Sequence, residues 1–313
     1  MYEPSLLERW AAFNREKWGC STTIHRFQQE GSDSYCESLF FLNKKGKLYL
    51  PPLNSYHPTL FHPTNTAKSY KISTQWHEAA ELLMRKIGST AGTAGFCLPP
   101  EFSDIRPFLW EGYQIGVKYT YYLDFPYAPE TISGDIRSRI RRAESEGYTT
   151  RRTTHMGDVY PCLLGTEARQ GFTHQLLLQD LERAQEMLGA EAFRCYVCYS
   201  PHGQPVSTNI VLLLDSDRAQ SWVAGSLPEH LSKGVVQQLQ HVLLQDISSL
   251  AIKGIDLAGA NIRSVAKAKA AWGAYLIPYF VIQKRGWKDM LRSGWKWWQF
   301  YRNMRQDIVS KKL

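Results

Sequence analysis

The chain has 313 residues, 43% hydrophobic and 21% charged, a balance that suits a buried core and excludes a largely disordered protein. Its length exceeds the ~100–200 residues of an ordinary domain and predicts two compact units or a fused pair. The formal charge of +8 sits almost wholly in residues 284–313, where nine Lys or Arg face only Asp289 and Asp307, so the basicity belongs to the tail and not to the fold.

The opening nineteen residues lack the basic start, apolar middle and small-residue cleavage site of a secretory signal. They read as an amphipathic helix, with Leu6, Leu7, Trp10 and Phe13 at helical spacing. No run approaches the ~20 apolar residues that span a bilayer. A cytoplasmic location is expected, with a peripheral position at the inner membrane face open through the tail.

Two β-rich runs follow within 34–50, joined by the turn Asn43-Lys44-Lys45-Gly46. The Pro-, His- and aromatic-rich stretch 51–65 predicts an irregular loop facing a cleft, because Pro cannot join a strand ladder. Residues 74–87 predict a helix with Trp76, Ala79, Ala80, Leu83 and Ile87 inward. A short strand, a short helix and the strand 117–125 complete the first half. The second half opens with a basic helix over 133–148 and a short strand, then two helices over 158–170 and 174–189. Three consecutive strands (193–200, 205–215 and 219–226) feed a long helix from about 230, the strand at 254–260, a helix at 262–273 and a last strand at 274–284. This order, β-β-β-α-β-α-β, is mixed α/β. Cys195 and Cys198, three apart on a strand, should point to opposite faces and so not share a metal.

Three segments carry a likeness. Residues 104–125 place an aromatic cluster before a Tyr-rich strand ending Leu123-Asp124. Residues 138–152 form an Arg-rich helix that ends in Gly147 before a strand. Residues 254–280 join an Asp-bearing strand, a glycine turn, a helix ending Ala268-Lys269-Ala270-Ala271-Trp272-Gly273 and a final strand. Together they resemble the FemAB branch of the GNAT acyltransferase superfamily, whose members are peptidyl and aminoacyl transferases. The resemblance implies an α/β fold of tandem GNAT-like halves, with mixed, mostly antiparallel sheets flanked by helices. The expected organisation is an acceptor-side half over 1–130, a donor-side half over 131–285, and a basic aromatic helix over 286–313.

The chemistry implied is acyl transfer to an amine, which needs donor phosphates held at a helix N-terminus, a cation near the developing oxyanion, and a proton acceptor. No tightly bound cofactor is expected; the donor would be acyl-CoA or aminoacyl-tRNA. No charged heptad insertion of ~50 residues is present to form a tRNA-side arm, which favours acyl-CoA. By the resemblance Lys269 lies near the transferred acyl group; its plainer alternative is a solvated lysine on an Ala-rich helix. Asp256 is a carboxylate in an apolar strand, costly unless paired, and reads as a site residue or as one half of a structural pair. Ser232, Gly234 and Asn261 are donor-binding candidates, although Ser232 also reads as a simple helix cap. Tyr56, His57, Trp76, Arg106, Trp110 and Tyr119 are candidates for the acceptor cleft, or else ordinary packing. Arg137 and Arg141 share a helix face that could grip an anionic acceptor or merely be solvated.

The tail reads as a helix with Trp287, Leu291, Trp298 and Tyr301 on one face and Lys288, Arg292 and Arg302 on the other. That pattern suits packing on the body, an anionic membrane surface, or tRNA. Three functions follow: an N-acyltransferase moving an acyl group from acyl-CoA to an amino-sugar, amino-acid or peptide amine; a tRNA-dependent aminoacyl or peptidyl transferase; and a non-catalytic GNAT-like scaffold that binds membrane or nucleic acid through its tail.

Overall fold

The computed structural model describes residues 4–92, 95–214 and 217–284. The expected basic aromatic helix over 286–313 lies outside the described residues. Helix α1 (Pro4–Trp18) buries Leu7, Trp10 and Phe13 of the predicted apolar face together with Ala11, while the predicted Leu6 is half-buried. An antiparallel three-stranded sheet follows, β1 (Ser21–Gln28), β2 (Tyr35–Leu42) and β3 (Thr59–His62). Two of these strands depart from expectation. Strand β1 is built from a mostly polar run, and β3 lies within the stretch predicted to be irregular. The expected partner at 47–50 contributes only an isolated bridge between Leu42 and Leu48.

Helix α2 (Ser69–Thr90) starts five residues earlier than its apolar pattern, because its first turn is exposed and so carries no burial signal. It packs Trp76, Leu83 and Ile87 against Phe40, Phe96 and Phe108, closing the core of this region.

The larger sheet has eight strands in the order β4-β11-β5-β10-β9-β8-β7-β6. These are β4 (Phe96–Leu98), β5 (Gln114–Asp124), β6 (Thr149–Thr153), β7 (Phe193–Tyr199), β8 (Pro205–Leu212), β9 (Arg218–Ser226), β10 (Gly254–Asp256) and β11 (Tyr275–Gln283). The sheet is continuous through both halves of the sequence, with β11 inserted between β4 and β5. On one face lie α4 (Gly134–Ser145) and α7 (Val235–Ser248), packed through Ile136, Ile140, Val235 and Leu239. On the other lie α1, α5 (Met156–Gln170) and α6 (Leu178–Leu188). The short helices α3 (Arg106–Trp110) and α8 (Arg263–Ala270) precede β5 and β11. Strand β7 sends Cys195 into one core and Cys198 into the other, as its two-residue period requires.

All neighbouring strands of this sheet run antiparallel except β9 and β10. These two pair in parallel over three residues only, Gly254 with Arg218 through Asp256 with Gln220. Strand β9 continues to Ser226, whereas the other chain turns away after Asp256 through Ala258 and Gly259, both at positive φ. The pair therefore splays, and Asp256 stands where it opens. The predicted long helix from about 230 is broken at this end. A 3₁₀ turn spans Pro228–Lys233, and α7 begins only after Gly234 in the left-handed conformation.

Candidate active site

Asp256 is the centre of the polar interior. Its side chain shares a sheet face with Tyr122, Arg218 and Gln220, because those residues fall in register across β5, β10 and β9. It is buried, with 3% of its surface exposed. It accepts hydrogen bonds from the Tyr56 hydroxyl at 2.7 Å, from the Thr120 hydroxyl, and from the Ala258 backbone N–H at 2.7 Å. Burial pushes its pKa above the ordinary carboxylate value, against the lowering by those donors. Burial, and then the Asp256 charge, drives the Tyr56 phenol well above its usual value, so Tyr56 stays protonated and donates to the carboxylate.

Lys269 reaches the same point from α8. Its Nζ donates to the Leu257 carbonyl and, at 3.0 Å, to the Ala258 carbonyl, which ties down the chain just where it leaves the sheet. Burial lowers its pKa to about 8, and the nearby Asp256 charge opposes that shift. An ammonium has three N–H donors, so two carbonyls leave one for another acceptor.

A small cavity of about 60 Å³ opens against Asp256, walled by Tyr56, Glu101, Tyr122, Arg218 and Gln220. The Tyr122 hydroxyl donates to Glu101 at 2.8 Å, and the Arg218 guanidinium lies 4.1 Å over the Tyr122 ring while bonding Asp124 at 2.7 Å. Gly254 makes this arrangement possible, since a β-carbon there would fall 2.5 Å from Arg218 Nη1 and 2.3 Å from the Leu123 carbonyl oxygen.

The other sequence candidates divide by place. Asn261 bridges to β5 with both ends of its amide, accepting from the Tyr119 N–H and donating to the Tyr119 carbonyl, each at 2.9 Å. It thus extends the ladder beyond the end of β10, and the Tyr119 ring is 41% exposed beside it. His57 is wholly buried, stacked on Phe96 with 4.4 Å between ring centres, and it accepts from the Cys97 N–H. Burial lowers its pKa to about 3, which keeps the ring neutral, and it is packed in the core away from the cavity wall.

Trp76, Arg106 and Trp110 gather around Asp104, apart from Asp256. Arg106 grips both carboxylate oxygens of Asp104 at 2.8 Å, His77 adds a contact at 3.1 Å, and the Trp76 indole donates to the Asp104 carbonyl at 2.7 Å. Trp110 is largely exposed, with the His77 ring edge-on to it. Arg137 and Arg141 lie on α4. Both are exposed, and Nη1 of Arg137 donates to the backbone carbonyls of Glu130 and Ile132.

Ser232 is exposed in the 3₁₀ turn and is not the helix cap; Gly234 holds that position with no side-chain capping bond. A glycine is needed there for φ +83°, and also because a β-carbon would stand 2.2 Å from the Arg139 carbonyl oxygen of α4. Close packing of α4 on α7 therefore accounts for Gly234 without any ligand.

Thr120, Tyr122, Glu101, Arg218 and Gln220 did not stand out in the sequence. Thr120 and Tyr122 alternate along one strand and could have been placed on one face. The others carry no local signal: strand register aligns Arg218 and Gln220 with β10, and Glu101 comes from the turn after β4.

Against solved structures, FemX superposes with a TM-score of 0.63 over 88% of this chain and 90% of FemX, at 11% identity. The fold is that of FemX. A domain assigned to a lysylphosphatidylglycerol synthetase from Agrobacterium fabrum covers 92% of this chain and 89% of its own length, with a TM-score of 0.54 and 10% identity. L-PGS from Bacillus licheniformis covers 91% and 94%, with a TM-score of 0.50 and 13% identity. No protein-family model and no curated sequence matches the chain. The FemX likeness agrees with the FemAB-like pattern of the three segments, and at these identities it is a likeness of fold. Among the described residues, no helix is long and apolar enough to cross a membrane.

Proposed function

We propose that the chain is an N-acyltransferase that moves an acyl group from acyl-CoA to the amine of an amino-sugar, amino-acid or peptide acceptor. The observation that carries this reading is the buried Asp256 carboxylate at the opening of the β9/β10 pair, with the Lys269 ammonium on the two carbonyls just beyond it. The amine nitrogen attacks the acyl carbonyl carbon, the carbon–sulfur bond breaks, and the thiolate leaves. The attacking ammonium must first lose a proton. Asp256 receives it through the Tyr56 hydroxyl, and its raised pKa makes it a better base than a solvated carboxylate. The third N–H of Lys269 faces the negative charge that develops on the carbonyl oxygen.

A second reading keeps the same site but takes an aminoacyl ester of tRNA as donor, and the FemX fold over nearly the whole chain favours it. In that case the bond that breaks is the ester carbon–oxygen bond. One experiment separates the readings: incubation with labelled acyl-CoA, or with labelled charged tRNA, and a panel of amines. Product labelled from CoA supports the first and from tRNA the second; no labelled product from either would leave a scaffold role.

A further inference from the structure

Strand β10 leaves its partner β5 at a point its register does not dictate. The antiparallel pairs Ile255 with Leu123 and Asp256 with Tyr122 continue through the Leu257 N–H, which donates to the Tyr121 carbonyl at 2.8 Å. One more ladder step would set Gly259 opposite Tyr119. The Asn261 side chain holds that place instead, accepting from the Tyr119 N–H and donating to its carbonyl. A carboxamide offers the same C=O and N–H pair as a peptide unit, so it can complete a ladder step in the backbone's stead. Residues 258–260 are thereby excluded from the sheet. They are pinned on either side at Leu257 and Asn261, and closed by the Ile262 N–H on the Gly259 carbonyl at 3.3 Å.

This excursion carries the groups that hold Lys269. The carbonyls of Leu257 and Ala258 accept from its ammonium, and the Ala258 N–H donates to Asp256. To serve both partners, Ala258 and Gly259 take φ of 54° and 67°. Only glycine adopts that region freely, so Ala258 is held there by its hydrogen bonds. Gly259 is pressed against the lysine: a β-carbon would stand 3.3 Å from Nζ and 3.0 Å from Val265 Cγ1. The place of the ammonium follows from the path of 257–259, and that path from where Asn261 returns the chain to β5.

We infer that Asn261 is a positioning residue for Lys269: by standing in for Gly259 on β5, it fixes the carbonyls that aim the ammonium. It acts through the backbone and touches neither donor nor acceptor. The inference rests on the acyl-transfer reading for what Lys269 does, but the surroundings of Lys269 can be measured without any transfer.

The variants are Asn261→Leu, which keeps the branched shape without the amide, and Asn261→Ser, which is too short to span both groups of Tyr119. Asn261 is exposed, and the small polar serine repeats the test if leucine there fails to fold. Lys269 is read by acetic anhydride labelling of the full chain across pH, with the exposed Lys267 of the same helix as internal reference. Native Lys269 should titrate at about 8, lowered by burial, with Asp256 the charged group that faces it among the described residues. Released from its carbonyls into water, it should titrate at least about half a unit higher in either variant. Amide exchange of the Tyr119 N–H should quicken by at least about fivefold. In turnover, kcat should fall about three- to tenfold with KM unchanged within about twofold, because the aim at the oxyanion is lost while ground-state binding is kept. A Lys269 midpoint that stays put in both variants, or a raised KM at native kcat, would overturn the inference. A moved midpoint with no labelled product from any donor, even in the native chain, would sink the transfer reading and leave the role of Asn261 standing. Product formed at the native rate by both variants would do the reverse.

Discussion

Asp246 and Asp256 each accept a tyrosine hydroxyl, and their surroundings separate their roles. Asp246, on α7, accepts from the Tyr196 hydroxyl and pairs with Arg194 at 3.0 Å, and that guanidinium is itself 8% exposed. Asp256 accepts from Tyr56 and Thr120 and, among the described residues, no guanidinium is hydrogen-bonded to it. A carboxylate beside a buried arginine is committed to holding that charge in place. One surrounded by neutral donors, with a pKa raised by burial, keeps an affinity for protons that chemistry can use. Both look alike as single letters in a sequence.

The largest effect expected from this contrast is on Asp256→Asn, which should lower the single-turnover transfer rate by about 10²–10⁴-fold, the usual contribution of a general base. A loss below fivefold would break the distinction between the two aspartates. Lys269→Ala should cost at least about tenfold in turnover, the scale set by losing one charged donor to the oxyanion, while the fold stays intact. In the native chain, turnover should fall as pH rises past about 8, where Lys269 loses its proton. Lys269→Arg should keep activity at higher pH if it is active at all; a native profile still rising from pH 8 to 9.5 would recast Lys269 as a base.

Stability gives a finer test. The Lys269 pKa is about 8 in the folded chain and 10.5 in the ordinary state, so between those values the unfolded chain binds more protons. This residue therefore makes stability rise with pH across that window, and Lys269→Met should flatten the rise in urea-unfolding curves. The smallest activity effect is expected for Asp246→Asn. It should cost no more than about 1 kcal/mol of stability, since Arg194 keeps its pair with Glu191 at 2.5 Å, and change turnover by less than about twofold.

Much of the architecture was legible because burial leaves a period. The β-β-β-α-β-α-β order of the second half, the inward face of α1 and the opposed cysteines all follow from apolar spacing. Strand β1 was not legible, since its exposed, mostly polar side chains show no clean alternation. The break before α7 was hidden because Gly234 answers to the approach of Arg139, a contact 95 residues away in the chain. Asp256 announced itself as a charge within an apolar strand, and Lys269 through a resemblance. Arg218 and Gln220 are ordinary polar residues until strand register sets them around one cavity, which Glu101 joins from the turn after β4.

The place of β11 has a consequence for how the chain acquires its shape. The last described strand fills the gap between β4 and β5, so residues near 96–124 cannot finish their ladder until residue 283 has been made. On a ribosome, those early strands would wait with open edges through the synthesis of about 150 further residues. Such long-range closure is slow and exposes strand edges to wrong partners. Maturation should therefore be a late, post-translational event, and chains truncated before Tyr275 should aggregate instead of leaving a folded N-terminal piece.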